Sequence, residues 1–329
     1  MTDDQPRALA SPRGVPFAKG HGTQNDFVLV PDPAGRLDLD AQQVAALCDR
    51  RAGIGGDGLI RVIRASAFVG ESPAGLVFSE QGAEWFMDYR NSDGSPAEMC
   101  GNGLRVFVAY LERLGYLRLA DGERVAIGTR AGVKTVRRDG DLLSADLGPW
   151  FLPGGEQAVA DGYDVRATVA NEPPDLPGLS VDVGNPHVVV ALPDVAGLAA
   201  ADLTSTPRVR PLPVHGTNVE LVVPLHDSGA ASGHLRLRVH ERGVGETRSC
   251  GTGAVAAVLA ARAWAGPDAP RVWRVDVPGG VLRVTTPAGD PVRGDVVELA
   301  GPAVIVAEGT ISELPAPERR PVTSGSRPA

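Results

Sequence analysis

Cys100 and Cys250 each open a Cys-Gly-x-Gly stretch, Cys100-Gly101-Asn102-Gly103 and Cys250-Gly251-Thr252-Gly253. The two lie 150 residues apart, and each runs directly into an apolar segment of helical type. A cysteine at the mouth of a helix sits among unpaired N–H groups at the positive end of the helix dipole, which favours both a thiolate and a bound carboxylate. Two such mouths facing each other would hold one small acid between two sulfurs.

Composition narrows what that site could serve. With 329 residues and 43% hydrophobic content, the chain is long enough for two cores of ordinary size and reads as a soluble globular protein. A net charge of −8 without a Lys/Arg-rich block argues against nucleic acid or an anionic membrane as partner, so a small molecule is expected. No stretch approaches the roughly 20 apolar residues of a membrane span, and the polar start lacks a signal-peptide core, so a cytoplasmic location is expected. Three cysteines, Cys48, Cys100 and Cys250, make a poor disulfide framework there, which leaves thiol chemistry available. Only Lys19 and Lys134 could anchor pyridoxal phosphate, and neither lies near a convincing phosphate loop; no cofactor is expected. The six histidines (His21, His187, His215, His226, His234 and His240) lack zinc-ligand spacing, so no metal is expected either.

Periodicity outlines the elements that must position the cysteines. The first half predicts strands over 26–30, 58–63 and 84–89, helices over 40–48 and 103–114, and three strands within 124–147. The second repeats the order, with strands over 179–183, 187–192, 218–223 and 234–240, a helix over 251–264, and a strand cluster over 271–306. Gly132-Val133-Lys134-Thr135-Val136 matches Gly280-Val281-Leu282-Arg283-Val284 at an offset of 148, and Leu147-Gly148-Pro149 matches Ala300-Gly301-Pro302 at 153. Offsets this close to 150 predict a duplication: two pseudo-symmetric α+β domains, each a sheet wrapping the helix after its cysteine, with the site in the cleft between them. The Pro/Ser/Arg-rich ends, 1–14 and 313–329, read as disordered tails. The first domain is expected over 15–146 with a return strand over 302–312, the second over 147–301.

Other motifs carry two readings each. Gly53-Ile54-Gly55-Gly56-Asp57-Gly58 fits G-x-G-x-x-G, but a helix precedes it and a strand follows, the reverse of a dinucleotide site, which favours a glycine-rich turn. His187, in Gly184-Asn185-Pro186-His187, is either a strand-end histidine or an orienting partner for a thiol or substrate. Asn25, Asn91, Asn185 and Asn218 occupy turn-like contexts, where asparagine usually serves the backbone. Glu241-Arg242 ends a strand and reads as a surface pair or as a clamp for a charged ligand. Cys48, on a helical pattern with Val44 and Leu47, reads as a small buried hydrophobe.

Read together, Phe17-Ala18-Lys19-Gly20-His21-Gly22 through Asn25-Asp26-Phe27, Arg51 to Gly58, Tyr89-Arg90-Asn91-Ser92-Asp93-Gly94-Ser95 to Met99-Cys100-Gly101-Asn102-Gly103, Gly184-Asn185-Pro186-His187, Gly216-Thr217-Asn218-Val219, and Glu241-Arg242-Gly243 to Cys250-Gly251-Thr252-Gly253 resemble the diaminopimelate epimerases. These are pyridoxal-independent amino acid epimerases, and the resemblance spans residues 15 to 310. It implies a β-barrel-like sheet around each central helix, a homodimer, and Cys100 and Cys250 as the acid/base pair. It also implies that Asn25, Asn91, Asn185, Asn218, Glu241 and Arg242 recognise the substrate, while Gly101, Asn102, Gly251 and Thr252 offer backbone N–H groups to the reacting carboxylate. Gly58 departs from members that carry glutamine there, and Gly216 from the arginine common at its position.

The activity so implied is interconversion of LL- and meso-diaminopimelate, feeding lysine and peptidoglycan precursors. A thiolate removes the α-proton and a thiol on the opposite face returns one, the helix mouths serving both by lowering the thiol pKa. Two alternatives use the same cysteines. One is an isomerase of the proline or hydroxyproline racemase type, and the other is a redox-switchable thiol protein.

Overall fold

The computed structural model describes residues 14–69, 77–225 and 231–316. Residues 1–13 and 317–329, where most of the expected tails fall, lie outside these, as does His226. The chain is still packed where the second tail was expected to begin: Leu314 is buried, and Pro315 O accepts a 2.7 Å hydrogen bond from Gln43 Nε2.

The first half builds β1 (Val15–Gly22), β2 (Asn25–Pro31), β3 (Gly58–Arg64), β4 (Trp85–Asn91), β5 (Arg124–Thr129), β6 (Gly132–Asp139) and β7 (Leu142–Asp146). These pair in sequence order. The β2–β3 and β4–β5 pairs are parallel and the others antiparallel. A parallel pair needs a crossover, usually helical. Accordingly α1 (Ala41–Cys48) joins β2 to β3, and α2 (Gly101–Arg113) joins β4 to β5.

The second half contains β8 (Trp150–Phe151), α3 (Gly155–Asp161), β9 (Val165–Thr168), β10 (Leu176–Asp182), β11 (Pro186–Ala191), α4 (Val195–Ala200) and β12 (Arg208–Arg210). It continues with β13 (Asn218–Leu225), β14 (Gly233–Glu241), β15 (Gly245–Thr247), α5 (Gly251–Ala265), β16 (Val272–Val277), β17 (Gly280–Thr285), β18 (Arg293–Gly294), β19 (Glu298–Gly301) and β20 (Val304–Ile311). Its ladder, β10-β11-β13-β14-β16-β17-β19, repeats the first in order and direction, with β11–β13 and β14–β16 as the parallel pairs. Helices α4 and α5 make the matching crossovers. The fold is therefore the duplicated α+β architecture expected. Strand β1, the short strands β8, β9, β12 and β15, and the helices α3 and α4 had no sequence signal strong enough to predict them.

Strands β7 and β19 join the halves. Val136 faces Ala145 in the first half and Val284 faces Leu299 in the second, so Ala145 and Leu299 are equivalent residues. They also face each other, which places a pseudo-twofold axis between them. The offset rises from 148 at Val136 and Val284 to 154 here, because the second half inserts the segment carrying β18 between its last two hairpin strands, and the Gly-Pro match at 153 lies one residue out of this register. Beyond this axis the chain crosses over twice. After β7 it places β8 against β10, and after β19 it places β20 against β1.

Each sheet wraps one helix. Leu104, Val106, Phe107, Val108 and Leu111 of α2 are fully buried, and α5, GTGAVAAVLAARAWA, is apolar on nearly every side, as a helix enclosed by a sheet must be. Leu299 lies under both helix starts. A Cβ at Gly101 would come within 3.3 Å of its Cδ2 and one at Gly251 within 3.0 Å, so glycine at both places lets the helices approach the axis without displacing Leu299.

The β1–β2 turn reaches across to the second half. Thr23 and Gln24 hold φ of 51° and 64°, the mirror-image turn that two-residue hairpins favour, though rarely with such residues. Thr23 O lies 1.8 Å from where a Cβ on Gly279 would stand. Gly279→Ala should therefore cost more than about 2 kcal/mol of stability, read from urea unfolding; a wild-type midpoint would show that the two turns do not meet as described.

Candidate active site

Both cysteines are the N-caps of their helices, in extended backbone conformation, and each sulfur accepts the N–H of the glycine three residues on at 3.4 Å, Gly103 for Cys100 and Gly253 for Cys250. The two mouths abut. A Cβ on Gly251 would lie 3.6 Å from Asn102 Oδ1. Asn102 Nδ2 spans the junction, donating to Asn25 Oδ1 at 3.2 Å and to Ser249 O at 3.3 Å, while Thr23 Oγ1 and Ser249 Oγ pair at 2.6 Å. Asn102 and Ser249 are almost wholly buried. The first-turn N–H groups of Gly101, Gly251 and Thr252 have no carbonyl four residues back, which leaves them to a ligand.

Of the remaining expected residues, Asn25, Thr252 and Glu241 stand at the sulfurs. Asn25 Oδ1 lies 3.6 Å from Cys100 Sγ, and Thr252 Oγ1 lies 3.5 Å from Cys250 Sγ. The Glu241 carboxylate hydrogen-bonds Cys250 and accepts from Thr247 Oγ1. His187 bridges Glu220 Oε1 (2.7 Å) and Asn185 Oδ1 (3.1 Å), with both ring nitrogens satisfied. Two residues are occupied otherwise than expected. Arg242 is exposed and donates through Nη1 to His215 O at 2.7 Å, and Asn91 Nδ2 donates to Ser95 Oγ at 3.0 Å within its own loop. Asn218 Oδ1 accepts the N–H of Arg242 at 2.9 Å and so fixes the end of β14.

Four residues here escaped the sequence reading. Asp57, in the glycine-rich turn, accepts from Asn25 Nδ2 at 2.7 Å and thereby turns the amide oxygen of Asn25 toward Cys100. Burial raises the pKa of Asp57; burial opposes ionisation of Asp26 beside it too, but bonds from Arg50 and Lys19 overcome that and hold Asp26 well below the usual range. Tyr89 packs edge-on against Phe27 and covers Gly58, whose Cβ position is 2.6 Å from the ring, so a side chain there would have to displace it. Glu220 and Arg105 are fully buried polar residues on apolar patterns. A charge on an otherwise apolar strand or helix face was the signal available for both.

Electrostatics overturn one expectation. Burial raises the Cys100 thiol to about 11 and the Glu241 charge adds to this, outweighing the N–H groups of Gly103 and Asn102. Cys250 is likewise pushed well up, by burial, Glu241 and Glu220. The helix mouths lower these values only against that background. Cys48 is likewise raised, to about 11, by burial among the residues that pack α1. All three cysteines are free.

The fold is shared with a PhzF-family phenazine biosynthesis protein from Bacillus anthracis, at 15% identity and TM-score 0.61, covering 91% of this chain and 99% of that one. It is shared too with a hydroxyproline epimerase from Agrobacterium vitis, at 14% identity and TM-score 0.56, covering 92% of each chain. A duplicated sheet around two helices places the chain in the class of two-domain proteins with this fold, here with a thiol at each helix mouth. The family model of diaminopimelate epimerase matches residues 17–150 and 179–306. Diaminopimelate epimerases of Streptomyces coelicolor and Thermobifida fusca are 47% and 48% identical, each over 90% of this chain and 94% and 97% of theirs. The chain belongs to the diaminopimelate epimerase family.

The raised thiol has a consequence for stability. Below the ordinary thiol range it contributes nothing; between there and about 11 the unfolded chain ionises first, so stability falls as pH rises. Urea midpoints should drop between about pH 8 and pH 10, and drop less in Cys100→Ser; equal slopes would mean the thiol is not held up.

Proposed function

We propose that the protein interconverts LL- and meso-diaminopimelate by proton transfer between Cys100 and Cys250. The observation that carries this is the abutment of two N-cap cysteines on adjoining helix mouths, supported by the family match over both halves. A lone base would return the proton to the face it came from; two sulfurs on opposite faces invert the centre. One thiolate takes the α-proton and the opposite S–H gives its own, so charge passes from one sulfur to the other.

The developing carbanion has no pyridoxal ring to spread into. Its charge moves into the α-carboxylate, which the N–H groups of Gly101, Gly251 and Thr252 would receive, joined by that of Asn102 when it turns from the Cys100 sulfur; single donors of this kind are worth about 3–4 kcal/mol in other enzymes. Asn25, held by Asp57, orients Cys100, while Glu241 and His187 with Glu220 flank Cys250. The distal end falls to Asn91, Asn185, Asn218, Glu241 and Arg242. Arg242, now on the carbonyl of His215, supplies a planar donor for the distal carboxylate, and Glu241 an acceptor for the distal ammonium. Cys250 is only 7% exposed, so substrate enters when the unit 15–146 with β20 parts from the unit 147–301. A dry site after closure keeps water from quenching the intermediate.

A cytoplasmic homodimer is part of this reading. No helix among the described residues is long and apolar enough to cross a membrane. Strand β20 pairs only with β1 among them and exposes Val304 and Val306, an edge suited to a second copy. Sedimentation of Val306→Lys should show more monomer than wild type; an unchanged distribution puts the interface elsewhere.

Proton NMR of the reduced protein with LL-diaminopimelate in D2O should show the α-proton signal disappear as the meso isomer forms. Cys100→Ala and Cys250→Ala should each nearly abolish inversion. Exchange on proline or hydroxyproline instead would retain the two thiols and change the substrate, and full activity in either variant would end the two-thiol mechanism.

A further inference from the structure

The two thiols are equivalent by fold and unlike by charge. Nine positions separate Asn91 from Cys100 and Glu241 from Cys250, and the strand registers carry that equivalence back to Leu59 and Val219, Ile60 and Glu220, Phe27 and His187. Behind Cys100 the filling is apolar: Ile60 Cδ1 and Phe27 Cζ stand 3.3 and 3.5 Å from a Cβ position on Gly103. Behind Cys250 it is ionic. Glu220 Oε1 stands 2.7 Å from the same position on Gly253 and pairs with His187. The helices reverse the pattern, since α2 carries Arg105 where α5 carries Val255, both 0% exposed.

Arg105 has no carboxylate partner among the described residues. Its Nη1 and Nη2 donate to Gly101 O (3.1 Å) and Asn102 Oδ1 (2.7 Å), and its Nε is unpaired. A buried guanidinium in that state is costly unless a negative charge comes to it. Its two acceptors belong to the residues that follow Cys100, and the charge that acts on it is a thiolate there.

We propose that Arg105 and Glu220 divide the roles of the thiols before substrate arrives: Arg105 favours the thiolate on Cys100, and the Glu220 carboxylate keeps the proton on Cys250. This rests on the two-thiol reading above. The other groups facing the sulfurs do not separate them in the same way. Cys100 meets the N–H groups of Gly103 and Asn102, Asn25 from the β1–β2 turn, Tyr89 from β4 and Glu241 from β14. Cys250 meets the Gly253 N–H, the Thr252 hydroxyl, Glu241 and Glu220, with His187 behind. Cys100 has one N–H donor more than Cys250, but among the charged groups Glu241 acts on both sulfurs, Arg105 on Cys100 and Glu220 on Cys250. In the first turnover the Cys100 thiolate takes the α-proton to become S–H, and the Cys250 S–H gives its proton to the opposite face to become the thiolate. Negative charge thereby moves from the arginine side to the glutamate side. Arg105 is a positioning residue in this scheme, touching neither substrate nor sulfur.

The test is the pH dependence of iodoacetamide labelling at each cysteine, resolved by peptide mass spectrometry. The titration midpoint is the readout, because unequal access scales the plateau and leaves the midpoint in place. Cys100 should titrate at least about one pH unit below Cys250, a tenfold difference in thiolate. Arg105→Met should raise the Cys100 midpoint alone, Arg105→Lys should restore it, and Glu220→Gln should lower that of Cys250. Should Arg105→Met fail to fold by circular dichroism, the lysine and glutamine variants still decide. Equal midpoints, a lower one at Cys250, or a Cys100 midpoint indifferent to Arg105→Met overturn the inference. Labelling needs no substrate, so a protein that shows these midpoints and leaves diaminopimelate unchanged loses the proposed function and keeps the charge division, while one that epimerises with equal midpoints does the reverse.

Discussion

The meeting of two helix N-termini is the constraint from which the rest of the structure follows. Like ends of two macrodipoles repel, and each brings donors that its own helix cannot satisfy. Here the junction is held by neutral groups that bridge rather than by opposing charge: Asn102 spans to Ser249 and Asn25, Thr23 closes the other side, and glycines at 101 and 251 let both helices rest on Leu299. What remains is a cluster of first-turn N–H groups around two sulfurs, at the positive ends of both helices.

The sheets explain how such a junction is assembled. Each parallel strand pair requires a crossover, and the second crossover of each half is the helix that the sheet then encloses. Because β4 and β14 end nine residues before their cysteines, the loops that carry Asn91 and Glu241 have the same reach in both halves. The pairing of Ala145 with Leu299 on the pseudo-twofold sets the halves face to face and brings the two helix mouths to one place.

Much of this is legible in the amino-acid sequence because it is written in residue types with few other uses. Glycines after a cysteine, a helical apolar run, and a repeat near 150 residues point to the duplicated helix mouths without a structure. The side-chain wall is less legible. Asn91 binds Ser95 in its own loop and Arg242 the carbonyl of His215 ahead of β13, and nothing in a turn-like context reveals where such a side chain will point. Arg105 and Glu220 were hidden by their neighbours: each interrupts an apolar pattern that reads as core, and only packing shows them behind the sulfurs. The thiol acidity was misjudged for a related reason, since helix position is visible in sequence while burial by the opposite domain is not.

The exchange of last strands has a historical reading. Strand β8 completes the sheet of the second half and β20 that of the first, so a chain of half this length would find its missing strand on another copy. Two such copies, trading strands about a true twofold, would form a site with identical thiols and identical surroundings. Joining the copies into one polypeptide freed their residues to diverge, and the contrast between Ile60 and Glu220, or between Arg105 and Val255, is a distinction that no symmetric ancestor could have encoded.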